Sequence, residues 1–379
     1  MSDMSERLAQ LTPEQKALLA ARLAGTGRSQ PKAPPPPTDP TSFDNFVCVP
    51  GTPGNFGSLT FREAERVSPG PGQVQIEARA VALNFRDLMI AVGMYPPSPG
   101  VPTVMGSDYA GVVTEIGEGV TRFNPGDRVM ALSAGALGPD GPALEGSHFQ
   151  AVTNLMEQQV APMPEGLDFE AAAGVPTVFL TAYYALCHVA HLAEGETVLI
   201  HSATGGLGQA AVAIARWVGA QCFATAGTPE KRAWLESQGI LGAMDSRSTA
   251  FVDQVREQTG GMGVDVLLNT LSGEGMVKGL DALSLFGRFL HVGKQDIADG
   301  AALPLGAFQG ALTYAVIDLA LLFRRPQRLQ ALFEEVSEHL TNGHFKPVQT
   351  TGFPVAEVGE ALALMSRYEH RGKLVLLYG

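Results

Sequence analysis

Gly205, Gly206 and Gly208 stand between an apolar run and an alanine-rich stretch, in the segment TVLIHSATGGLGQAAVAIARWVGA at 197–220. A loop without side chains lets backbone N–H groups approach a pyrophosphate, which then rests at the positive end of the following helix. The strand before and the helix after separate this pattern from a chance glycine triplet. Thr204, Gly205, Gly206, Leu207 and Gly208 are therefore candidate cofactor-binding residues. The plainer alternative is a turn in an α/β domain that binds nothing.

The end of the second strand of such a unit chooses between dinucleotides. An enzyme that prefers NAD places Asp or Glu there, about 20 residues past the loop, to hold the ribose hydroxyls. This chain has Ala226, Gly227 and Thr228 instead. No carboxylate repels a 2′-phosphate, and Lys231 and Arg247 follow as cations for it. Thr228, Lys231 and Arg247 join the candidates, and NADPH is the expected cofactor. Solvated surface residues are the alternative for both cations. Farther on, Val292, Gly293, Lys294 and Asp296 follow a predicted strand, at the end where open α/β sheets bind ligands.

No metal is expected. Cys48, Cys187 and Cys222 form no CxxC pair, and the eight histidines are scattered, with only His188 and His191 spaced i, i+3 on a predicted helix. Without a Lewis acid to polarise an alcohol, hydride delivery to an electron-poor alkene is the better-suited chemistry. The net charge of −12 argues against nucleic acid and anionic membrane as partners. The apolar runs read as core rather than membrane spans, and no leader pattern stands out. With separated cysteines, the expected location is the cytoplasm.

Positioning these groups takes two domains, and 379 residues at 45% hydrophobic allow two cores. Residues 43–164 read as mostly β: Val74, Ile76 and Ala78 alternate with Gln73, Gln75, Glu77 and Arg79. Runs at 110–116 and 128–132 are bounded by turn residues, which suggests a compact barrel. Over 165–305, strands near 197–201, 222–226, 264–270 and 288–292 alternate with helices, the pattern of a doubly wound parallel sheet. Residues 306–379 end in a strand-like KLVLLYG. Residues 1–25 predict a short helical arm, with Thr12, Pro13 and Gln15 forming a capping box and Leu18, Leu19 and Leu23 one stripe. Residues 26–42 are a Pro-rich linker. An arm on such a tether either docks on a partner protein or packs on the body.

Several segments together resemble the enoyl reductase domains of modular polyketide synthases. They are NFRDLMIAVGMYP at 84–96, AGVVTEIGEGVTRFNPGDRVM at 110–130, VFLTAYYAL at 178–186, the glycine loop, and GRFLHVGKQDI at 287–297. These domains belong to the medium-chain dehydrogenase/reductase superfamily, near the zinc-free quinone oxidoreductases. The resemblance implies an α/β architecture: a GroES-like barrel as substrate domain (43–164), a Rossmann domain for NADPH (165–305), and a C-terminal segment (306–379) returning to the barrel. It also implies reduction of an enoyl thioester held on an acyl carrier protein. Hydride would go to the β-carbon and a proton to the α-carbon. Residues 1–25 resemble helical stretches that flank domains in such assembly lines, so a carrier protein or a neighbouring module is the expected partner. Pairing of two copies through the Rossmann sheet stays open.

By this resemblance Tyr95, in GMYP, can donate a proton or hydrogen-bond the enolate. Asn84 would face the nicotinamide or the substrate. Lys294 would touch cofactor or substrate, and Thr181 the nicotinamide region. Met105, Tyr109 and Phe179 are candidate pocket residues, with core packing as their alternative. Two departures stand out. Ala250 takes the place of an acidic residue before Phe251, and GSDYAG at 106–111 replaces GGEGAG, so that Tyr109 would add bulk near the cleft. Three competing functions remain: a quinone or free-enone reductase, a variant that forms cyclopropanes by reductive cyclisation, and a non-catalytic scaffold.

Overall fold

The two sequence rhythms become two sheets. The computed structural model describes residues 40–95, 103–135 and 146–379, with 137, 138, 140 and 144 between them. The expected arm (1–25) and the linker (26–42) up to residue 39 lie outside the described residues. The described residues all belong to one unit.

An antiparallel ribbon comes first, β1 (Phe46–Val49) with β2 (Thr60–Glu63). Next come β3 (Gln73–Ala82), β4 (Asp108–Ile116), β5 (Arg128–Leu132), β6 (Val152–Met156) and β7 (Val160–Pro162). The strands β8 (Thr197–Ile200), β9 (Gln221–Ala226), β10 (Gly242–Asp245), β11 (Val264–Asn269), β12 (Leu283–His291) and β13 (Thr313–Val316) alternate with helices. The last two are β14 (Thr350–Pro354) and β15 (Lys373–Leu377).

The barrel sheet runs β14-β15-β3-β4-β5-β7, with β6 on β3. Its apolar residues alternate because one face of each strand packs inward. Buried Gln73 and Gln75 in β3 break the alternation, and each finds an acceptor: Gln73 Nε2 donates to the Gly138 carbonyl at 2.8 Å and Gln75 Nε2 to Val67 at 2.9 Å. The second sheet is parallel, in the order β10-β9-β8-β11-β12-β13. Its central strands are apolar on both faces because helices cover both. The order reverses between β8 and β11, and the crevice beyond their C-terminal ends is where such sheets bind ligands.

The sixth strand, β13, lies past residue 305, so this sheet extends into the segment expected to have left it. β15 then pairs antiparallel with β3 and parallel with β14, which returns the chain end to the barrel.

The domains share a core. One apolar cluster runs from Ala80, Ala110 and Met130 of the barrel through Phe179 and Leu180 to Ile200, Ile214 and Leu268. Each large side chain buried in this way contributes about 1.5–3 kcal/mol. Phe179 and Leu180 sit on the helix Pro176–Tyr183, which thereby braces one domain against the other. That helix continues as a π turn, Tyr184–Val189, and His191 follows it in a left-handed conformation (φ 50°). His188 and His191 therefore do not share a helix face, because the helical path ends between them. His188 Nε2 instead meets Glu335 Oε2 at 2.8 Å. Among the described residues no helix is long and apolar enough to cross a membrane.

Candidate active site

β8 ends at Ile200, the loop runs through Gly205, and the helix Gly206–Val218 begins. Two of the three glycines are sterically required. A Cβ on Gly208 would stand 2.4 Å from Ala203 Cα, and one on Gly206 2.7 Å from the Lys373 side chain. Under the loop, His201 is fully buried and its Nδ1 meets Thr225 Oγ1 at 2.9 Å, joining the ends of β8 and β9. Burial pushes the His201 imidazole down to about 3, so it stays neutral there. The first N–H groups of the helix have no intrahelical acceptor and favour an anion. Thr204 is buried, and its carbonyl accepts from Gly372 N at 2.8 Å, which secures the loop from the other side.

At the end of β9, Thr228 caps the helix Pro229–Ser237 by accepting from Lys231 N at 3.3 Å. Lys231 Nζ donates to the Tyr368 carbonyl at 2.6 Å. The Arg247 guanidinium lies against Gly227, its Nε 3.1 Å from where a Cβ would be. Burial, then Arg247 and Arg371, push the Lys231 ammonium below its ordinary range, while Glu369 opposes them. Arg371, which also lies over the Trp234 ring, completes a cation cluster that sequence reading missed, since it is contributed from the far end of the chain. Like charges gathered in this way gain from an anion between them.

A second group forms where β12 ends. Val292 N donates to the Asn269 carbonyl at 3.0 Å, and Gly293 leaves room for the buried His291 ring. Lys294 Nζ then reaches the Asp318 carboxylate at 2.9 Å and the Tyr95 hydroxyl at 3.3 Å. The Arg86 guanidinium lies over the Tyr95 ring at 5.1 Å. Burial alone would lower the Lys294 ammonium, but Asp318 and Tyr95 outweigh it and hold the ammonium above its ordinary range. Tyr95 and Lys294, 199 positions apart, are thus neighbours. Asp318 had no sequence signal. Asp296, expected beside Lys294, instead accepts from Gly273 N at 2.9 Å.

A third group was largely invisible in the sequence. Asp108 is wholly buried and accepts from Thr177 N at 3.1 Å, Thr177 Oγ1, Asn84 Nδ2 at 3.0 Å and Lys373 Nζ at 3.0 Å. Lys373 Nζ also donates to Asn84 Oδ1 at 2.6 Å. The Asn84 carboxamide is therefore engaged on both of its atoms. Of its members the sequence pointed to Asn84, while GSDYAG stood out for Tyr109 rather than for Asp108.

Met105, Tyr109 and Phe179 offer almost no surface: each is at most 1% exposed, Met105 and Tyr109 in the barrel core and Phe179 in the shared core. Consecutive residues of a strand point to opposite faces, so β4 turns Tyr109 away from Asp108. Thr181 is likewise buried, on the bracing helix. Ala250 sits at the N-terminus of the helix Phe251–Gln258. Among the described residues no three His, Cys, Asp or Glu side chains gather as a metal site. Burial pushes the Cys48 and Cys187 thiols up to about 12 and Cys222 to about 11.

Comparison with known proteins agrees with this geometry. The chain matches the alcohol dehydrogenase GroES-like domain over residues 70–165 and the zinc-binding dehydrogenase family over residues 238–376. It is 42% identical over 326 residues to the phthioceranic/hydroxyphthioceranic acid synthase of Mycobacterium tuberculosis (strain ATCC 25618 / H37Rv), covering 86% of this chain and 15% of that protein. The chain thus spans a small part of the length of the curated relatives it matches. Among solved structures it is similar to the CurK enoyl reductase, with 32% identity and a TM-score of 0.78. The CurF ER cyclopropanase from the curacin A biosynthetic pathway is similar too, with 30% identity and a TM-score of 0.78. Each alignment covers 88% of this chain and 99% of the other.

Removing one partner of a buried ion pair leaves the other charge uncompensated. Asp108→Ala is therefore expected to lower unfolding stability by about 3–5 kcal/mol in denaturant titration. A loss under about 1 kcal/mol would show that Lys373 finds another anion.

Proposed function

The chain belongs to the enoyl reductase family of modular polyketide synthases, within the medium-chain dehydrogenase/reductase superfamily, and we propose that it reduces the α,β-double bond of an enoyl thioester on an acyl carrier protein, using NADPH. The observation that carries the reading is Lys294, an ammonium kept charged by Asp318 and hydrogen-bonded to the Tyr95 hydroxyl. Reduction of an electron-poor alkene needs a proton at the α-carbon, and this is a proton donor backed by a second one.

The nucleotide crevice fits a phosphorylated dinucleotide. The side-chain-free loop meets a helix N-terminus, and Lys231, Arg247 and Arg371 gather beside Gly227 with no carboxylate at the end of β9. Thr204, Gly205, Gly206, Leu207 and Gly208 would hold the pyrophosphate, Thr228 with those cations the 2′-phosphate, and Val292, Gly293 and Thr181 the nicotinamide end. NADPH, when bound, supplies the hydride that the β-carbon receives.

The remaining chemistry falls to the chain's own groups. Tyr95 releases its hydroxyl proton to the α-carbon, and the Lys294 ammonium passes a proton to the phenolate that is left. The neutral amine then takes a proton from solvent, and Asp318 favours the ammonium form it regains. Negative charge developing on the thioester oxygen is stabilised by the same ammonium. Asn84 orients the cleft wall. An acyl carrier protein or a neighbouring module would dock through residues 1–25; the much greater length of the similar synthase supports a multidomain setting.

Oxidation of NADPH should run faster with a crotonyl thioester than with a quinone; the reverse order would favour a quinone or free-enone reductase. Lys231→Ala should raise KM for NADPH about 10–100-fold, the worth of one charge-assisted hydrogen bond, and change KM for NADH little. Equal effects on both cofactors would remove Lys231 from the phosphate site. Lys294 acts as an acid, so activity is lost as pH rises through its pKa, which Asp318 holds high. Asp318→Asn leaves only Tyr95 to oppose burial and should move the alkaline limb of kcat to lower pH. An unmoved limb would exclude Lys294 as the titrating acid.

A further inference from the structure

Lys373 opens β15 and is 4% exposed, and it touches both halves of the cleft. Its backbone neighbour Gly372 (φ 66°) donates to the Thr204 carbonyl at 2.8 Å and bridges to Gly205 of the glycine loop. Lys373 N itself donates to Gln349 at 2.8 Å, beside β14. The aliphatic stem lies against Gly206, the first residue of the nucleotide-binding helix, so closely that a methyl group there would fall 2.7 Å from Cδ. The ammonium then reaches across to Asn84 Oδ1 at 2.6 Å and Asp108 Oδ2 at 3.0 Å on the barrel side.

Stability alone does not call for this arrangement. A well-packed apolar pair would hold the same surfaces together as firmly as a buried ion pair. What charges add is direction. Asp108 receives four donors and Asn84 is bound on both its oxygen and its nitrogen, so neither side chain can turn without breaking a hydrogen bond. We propose that Lys373 is a positioning residue for hydride transfer: its stem sets the height of the glycine loop, and its ammonium, anchored on Asp108, orients Asn84 against the nicotinamide side of the cleft. The proposal rests on the reductase reading above and adds to it the group that aligns the two halves.

The test compares wild type, Lys373→Met, and the double variant Asp108→Asn/Lys373→Met. Lys373→Met strands the Asp108 carboxylate and should lower Tm; the double variant carries no charge and should recover it. The phosphate anchors are untouched, so the double variant should bind NADPH with Kd within about three-fold of wild type. Its kcat should fall about 10–100-fold with little change in acceptor KM, as misalignment by about 1 Å does. The fluorescence lifetime of its bound NADPH should drop toward that of the free cofactor.

A double variant of wild-type stability that keeps kcat within about two-fold and the wild-type lifetime overturns the proposal and makes the pair structural only. If the double variant does not fold, Lys373→Arg serves instead: it keeps the charge, but its planar fork cannot meet both acceptors in the same geometry. Here too a lower kcat at unchanged NADPH Kd supports the proposal, and full activity overturns it. All variants are assayed with a crotonyl thioester and with a quinone. A wild type active only on the quinone overturns the thioester reading, while the quinone rates still judge Lys373. A wild type inactive on both leaves the lifetime to decide.

Discussion

A carboxylate sealed from water has to be met donor by donor, and Asp108 imposes that demand on the whole molecule. Its donors come from the residue ahead of the helix Phe85–Ala91 (Asn84), the bracing helix (Thr177) and the last strand (Lys373). Satisfying one charge therefore fixes three elements distant in sequence. Because Gly372 is bonded to Thr204, the same contact fixes the glycine loop. The shared apolar core supplies most of the adhesion between the domains, but apolar contact is non-directional. The angle at which the barrel faces the nucleotide sheet comes from this polar junction.

The two ends of the cleft are charged on different principles. Beside Gly227, Lys231, Arg247 and Arg371 crowd one another, and the strain of like charges is relieved by an anion. Beside Tyr95, the Lys294 ammonium is already balanced by Asp318 and needs no further anion. The first arrangement suits binding a phosphate; the second suits holding and releasing a proton. The net charge of −12 does not oppose phosphate binding, since exposed charges are screened beyond about 8 Å at physiological salt and the local cluster decides.

Burial separates positions that look alike in the sequence. Asp108 and Tyr109 are consecutive in a strand, so their side chains point to opposite faces. Asp108 turns to the junction and Tyr109 into the barrel core, where burial raises its phenol well above the ordinary range. Met105 and Phe179 follow Tyr109, not Asp108, for the same reason of packing. His188 lies in a π turn that ends at Val189, before His191, which a helical spacing does not foresee.

Local chemistry was legible from the residues alone. A strand, a glycine loop and a helix are contiguous, as is the absence of a carboxylate at the end of β9. Periodicity revealed the parallel sheet and the barrel, and the resemblance added Tyr95, Asn84 and Lys294. The partners of those residues were not legible. Lys294 meets Asp318 and Tyr95, Lys231 meets Arg371, and Asn84 meets Lys373 only after the chain end has come back to the barrel and the two sheets have closed on a common core. Backbone geometry is set by neighbours in the chain, whereas pairing of side chains depends on long-range closure, which no short window of sequence encodes.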